Sequence, residues 1–273
     1  MALHTVAFGA ESIDDDNVIH AASDGVFGTL ESALIPQQNM RLVAAVAGGS
    51  TLAVAALTQR SMDITPANIF PLNTFPWPSP VGAMVQGMYG PRVSAGEAIS
   101  AQGQRLGIPA TDGVIVGWFA DRIDPIPEGE HFLLEFETET ITVAAGRWKT
   151  TAPIQLSRVQ SLPAARYHVC GMSVYATTGS KVVAARLLLP NQVFRPGAIV
   201  HGGGIPMQKL PPDFHLNGSL GCWGWFEQGS LPRLEVVAMS AGNVSLRGNL
   251  RIVRAGSGSG VGLSIGNGGP SWG

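Results

Sequence analysis

The sequence predicts an all-β protein built from two tandem β-sandwich units, and three observations carry that expectation. Glycine and proline are abundant, with 35 Gly and 19 Pro in 273 residues, a composition of many turns and short strands rather than long helices. One strand–turn–strand pattern occurs twice at a constant offset, as a duplicated structural unit requires. Only 13% of residues are Asp, Glu, Lys or Arg, against about 25% in ordinary soluble domains. A surface so poor in charge is expected to lie largely against other subunits.

In chain order, the reading places an acidic N-terminal arm at 1–27, a first unit at 28–157, a second unit at 158–255 and a flexible Gly/Ser-rich tail at 256–273. Between positions 1 and 31 stand Glu11, Asp14, Asp15, Asp16, Asp24 and Glu31 and no Lys or Arg, whereas 236–273 holds Arg247, Arg251 and Arg254 and no acid. Terminal charge runs are usually solvated. The functional alternative is an acidic arm meeting the basic surface of a neighbouring copy. The tail, with Gly256-Ser257-Gly258-Ser259-Gly260, lacks the apolar groups to offset its ordering entropy, although Trp272 at its end offers a docking group.

The duplicated pattern reads as strand, Gly-Ser turn, strand and proline-ended loop. Gly49, Ser50, Ala55, Leu57, Pro66 and Ile69 recur as Gly179, Ser180, Ala185, Leu187, Pro196 and Ile199, all offset by 130 positions. Each copy is expected to form a hairpin, with Leu42 to Gln59 the buried hairpin of the first. A second landmark is Gly117-Trp118-Phe119 in one copy and Gly224-Trp225-Phe226 in the other, followed by Leu134-Glu135-Phe136 and Leu234-Glu235-Val236 respectively. The alternation of Thr138 to Val143 has the period of two of a strand with one wet face.

Measured between these landmarks, the first copy is longer by about 23 residues. The excess is assigned to an insertion at about 71–110. Within it, Ser94-Ala95-Gly96-Glu97 resembles a capping box and predicts a short helix running to Leu106; Pro76, Pro78 and Pro80 mark the preceding stretch as loop.

No catalytic, cofactor-binding or metal residue is assigned. His4, His20, His131, His168, His201 and His215 never occur as the His-x-His that a double-cupin metal site requires, and Glu128-Gly129-Glu130-His131 has no second histidine nearby. Cys170 beside His168 reads as a strand neighbour rather than a nucleophilic pair. With two cysteines and no CxxC spacing, Cys170 and Cys222 are expected to be core residues. His201 to Gly204 opens no helix and lacks a following Lys, so it is a turn and not a phosphate loop. The acid-rich stretch 112–139 lacks the alternating acidic loop of a calcium site. The aromatic pairs at Trp118, Trp223 and Trp225 are either shared core or a sugar-stacking platform. A net charge of −2 argues against a specific nucleic-acid binder. The N-terminus shows no secretory signal pattern.

Two tandem units, a helix-bearing insertion in one of them, an acidic arm, a Gly-rich tail and low charge together resemble the double jelly-roll major capsid proteins of tailless icosahedral bacteriophages. The resemblance is of architecture, spans roughly Gly28 to Ala255, and transfers no individual residue. It implies two jelly rolls side by side, a homotrimer, an icosahedral virion shell made from subunits synthesised in the host cytoplasm, and contacts with other capsid proteins and an internal membrane. The alternatives from other classes are a carbohydrate- or receptor-binding β-sandwich protein and a degenerate double-cupin metalloenzyme.

Overall fold

A computed structural model of the chain describes residues 3–13, 33–34, 38–49, 52–58, 69–72, 74–75, 84–85, 87–96, 98–105, 111–156, 161–177, 181–190, 192–201 and 220–255. Most of the predicted arm, the Gly179-Ser180 turn, Pro66, His20, His215 and the tail lie outside them. The protein is all-β: among the described residues the helical content is one 3-10 turn at Gly87–Tyr89, and no helix is long and apolar enough to cross a membrane.

The strands up to residue 120 are β1 (Leu3–Ile13), β2 (Ala33–Leu34), β3 (Met40–Gly49), β4 (Leu52–Thr58), β5 (Ile69–Leu72), β6 (Thr74–Phe75), β7 (Met84–Val85), β8 (Arg92–Val93), β9 (Ala98–Arg105) and β10 (Thr111–Ala120). They form one sheet of order β1-β10-β3, with β6, β7 and β8 along the far edge of β3, and a second of order β2-β9-β4-β5. The remaining strands are β11 (Gly129–Glu137), β12 (Ile141–Val143), β13 (Lys149–Pro153), β14 (Gln155–Leu156), β15 (Arg166–Ala176), β16 (Val182–Leu188), β17 (Gly197–His201), β18 (Gly224–Glu227), β19 (Arg233–Ala238), β20 (Gly242–Val244) and β21 (Leu246–Ala255). Their order repeats the first: β11-β21-β15 with β18 beside β15, and β13-β19-β16-β17. A short parallel contact of β15 with β17, Val174 opposite Val200, joins the last two sheets into one.

The sheet of β1, β10 and β3 is buried on both faces. Along β10, Val114, Val116, Trp118 and Ala120 enter one apolar cluster shared with the second group of strands. The intervening Ile115 and Phe119 enter another, with Leu57, Ile99 and Ala101 of β4 and β9. Burial on both sides explains why β3 and β10 read as near-continuous apolar runs rather than as alternating ones.

Several expectations are corrected. The predicted helix at Ser94 to Leu106 is strand β9, paired with β4 from Leu57↔Ala101 to Leu52↔Arg105. Ile99, Ala101 and Gly103 are buried and Gln102 and Gln104 exposed, a period of two that outweighs a local capping signal. The duplicated strand pairs are not hairpins. β3 and β4 lie in different sheets, and β15 and β16 are separated by β17, because each strand pairs instead with other segments. Leu3–Ile13, read as part of the arm, is a strand registered along β10 from Leu3↔Ala120 to Ile13↔Thr111.

The second landmark does not mark equivalent places. Gly117-Trp118-Phe119 lies in β10, between β1 and β3, whereas Gly224-Trp225-Phe226 is β18, beside β15. The two glycines answer different needs. A Cβ on Gly117 would press on Phe119, Leu57 and Leu42, while Gly224 has φ of +146° and lies under the Gln192 side chain. Hydrogen bonding therefore groups 3–120 and 129–255, with β11 and its neighbours on the C-terminal side.

Candidate functional site

Among the described residues, two places that gather polar side chains stand out. The first is the joint between the two groups of strands. Thr5 N–H of β1 donates to Arg195 O at 2.8 Å, Arg186 Nη1 of β16 donates to Thr5 O at 3.3 Å, and Trp118 Nε1 of β10 donates to Gly197 O at 2.7 Å. Close approach needs small residues. A Cβ on Gly9 of β1 would sit 2.9 Å from Met239 and 3.2 Å from Val183. Arg186 is 2% exposed, lies 3.7 Å over the Trp148 ring and pairs with Glu235 at 2.8 Å. Arg195 reaches the same carboxylate at 3.5 Å. A buried cation thus has a carboxylate, a carbonyl and an aromatic face, which meets the condition for burying a charge.

The second is a cleft of about 330 Å³ lined by Asp124, Pro125, Pro127, His168, Gln192, Cys222, Gly224 and Trp225. Gly221, at φ +66°, turns the chain so that Cys222 N–H donates to Asp124 O at 2.9 Å; a Cβ there would collide with that carbonyl. Across the sheet His168 faces Trp225, and the Arg166 guanidinium lies 3.9 Å from the Trp225 ring centroid. Cys222 Sγ is 3.6 Å from His168 Nδ1.

This cleft is not set up for nucleophilic chemistry. Burial pushes the Cys222 thiol up and the Cys170 thiol up to about 11. Burial, with a smaller contribution from Arg166, lowers His168. Thiol and imidazole are thus both neutral near pH 7, the reverse of the thiolate–imidazolium pair that a reactive cysteine uses. Cys170 is fully buried and donates to Arg251 O at 3.4 Å, and both cysteines are free.

The other weighed residues are dispersed. His4 sits in the joint, His131 is exposed on β11, and the backbone of His201 ends β17. Among the described residues no three His, Cys, Asp or Glu side chains converge as metal ligands. Glu130 pairs with Arg254 at 2.5 Å and Glu137 with Arg247 at 3.3 Å. These two C-terminal arginines therefore meet acids of β11 within the same chain. Of the aromatic platform, Trp118, Phe119, Trp223 and Phe226 are fully buried, leaving Trp225 as its one partly exposed member. The joint was missed in the sequence because its bonded residues lie far apart along the chain, by 49 positions for Arg186–Glu235 and 181 for Thr5–Arg186; the only local signal was an arginine, Arg186, inside an apolar strand.

No protein-family model and no curated protein matches this chain. Among solved structures it is similar to the major capsid protein P2 from Bacteriophage PM2, with 8% identity, 94% of this chain and 100% of that chain covered, and a TM-score of 0.21. At that score the similarity carries no argument about role, which rests on the chain's own strands and surfaces.

Proposed function

We propose that the chain is a structural protein that self-assembles into a shell, each half of it a jelly roll. The observation that supports the reading is the repeated strand order. In both halves the first strand lies beside the last, β1 beside β10 and β11 beside β21; the last lies beside β3 or β15; and β2-β9-β4-β5 or β13-β19-β16-β17 forms a second run of strands, the connectivity expected of a jelly roll. The joint fuses the two halves into one block, with buried polar bonds and no long linker. Three such blocks would present six similar lobes, a pseudo-hexagonal tile for an icosahedral virion shell. A charge content of 13% lowers the desolvation cost of large subunit interfaces. The role is assembly rather than turnover, with copies of itself and other coat components as partners.

Light scattering of the purified full chain tests the reading. A mass of three chains, growing to larger particles with concentration, is expected; a monomer throughout the concentration range contradicts it. A receptor- or carbohydrate-binding role has one observation in its favour, the partly exposed Trp225 in its cleft. Quenching of tryptophan fluorescence by a glycan panel, abolished in Trp225→Ala, would support that second reading.

A further inference from the structure

The joint contains an ionisable group that shell assembly does not call upon. His4 lies in β1, is 3% exposed and stands opposite Phe119 of β10. Its Nδ1 accepts a hydrogen bond from the Arg195 backbone N–H at 3.3 Å. Nδ1 can accept only if unprotonated, so the neutral ring carries its proton on Nε2. That Nε2 is buried with no partner among the described residues.

We propose that His4 makes the joint between the two halves acid-labile, its protonation releasing β1 from the 192–196 loop. The incoming proton must go to Nδ1, the atom already accepting from Arg195, so charging the ring also breaks the bond that docks it. The side chains facing the ring add to the cost. β16 contributes Arg186 and the 192–196 loop contributes Arg195, both cations. Glu235 of β19 is already engaged by both arginines, at 2.8 and 3.5 Å. β10 places Phe119 opposite, and Asp121 follows just beyond its end. Burial first, and then Arg186 and Arg195, hold the imidazole well below its ordinary value.

The sign follows from linkage. The folded joint refuses a proton that the unfolded chain accepts near pH 6.5, so the His4 contribution is fully present above about pH 6.5. It declines as pH falls below that value and stops changing below the lowered folded-state pKa. The release occurs within a single chain, so it is separable from any failure to assemble.

The test compares thermal unfolding of the full chain and of His4→Gln between pH 7.5 and 5.0. Gln keeps a neutral hydrogen-bonding side chain. The wild type is expected to lose about 3 °C or more over this interval, and His4→Gln less than half as much; equal losses overturn the proposal. If His4→Gln does not fold, imidazole NMR of the wild type decides. A His4 signal unchanged through pH 6 supports the proposal, and a midpoint at the ordinary value overturns it. The protection factor of the Thr5 amide, which bonds across the joint, must fall at pH 5.0. Undiminished protection there while the protein loses stability would place the acid sensitivity elsewhere and overturn the inference.

Discussion

Arg186 brings together the polar groups of the joint: Glu235 at 2.8 Å, Thr5 O at 3.3 Å and the Trp148 face at 3.7 Å. Its side chain is 3% exposed and that of Glu235 15%, so solvent does little to screen the pair. Arg186→Ala leaves a buried carboxylate with only Arg195 beside it and is expected to cost about 3–5 kcal/mol, read as a shift in the urea midpoint at unchanged slope. Arg166–Glu227, with side chains more than half exposed, makes the contrast: Arg166→Ala should move the same midpoint by no more than about 1 kcal/mol. At this scale the sequence was partly legible. Cys170 and Cys222 are buried and free, as two unpaired cysteines in apolar runs suggest. The partners of Arg186 were not legible, since a lone arginine within Val182–Leu188 says that a counter-charge is needed but not which distant strand supplies it.

Among the elements, β9 separates what local patterns reveal from what pairing decides. The Ser94–Glu97 spacing signalled a helix start, yet pairing with β4 and β2 makes 98–105 a strand. Two neighbouring substitutions distinguish the conformations. Ala101 is fully buried and Gln102 exposed, so Ala101→Glu should cost more than about 3 kcal/mol. Gln102→Glu should stay within about 0.5 kcal/mol, both measured by denaturant unfolding. Similar costs for the two would contradict the strand. The constant offset of 130 was a true signal of pairing order: Leu52–Thr58 and Val182–Leu188 take the same place in their sheets. The Gly-Trp-Phe match was not, because buried strands favour aromatic residues for packing alone. Small residues beside them, such as Gly117 and Gly224, meet unrelated steric demands.

For the molecule as a whole, composition announced an all-β chain, and the strands bear that out. The all-β class was legible in the composition, but the strand pairing was not. Residues 129–156 contain β11 to β14, and β11 pairs with β21, more than a hundred positions away. Such non-local pairing leaves no trace in local periodicity. The β1-β10-β3 sheet is buried on both faces, so it packs against both the other strands of its own group and the C-terminal strands. Electron microscopy of the purified full chain, at neutral pH and high concentration, tests the assembly reading most directly. Threefold particles that pack into closed shells or flat hexagonal arrays are the predicted result, and a field of dispersed single chains with no lattice contradicts it.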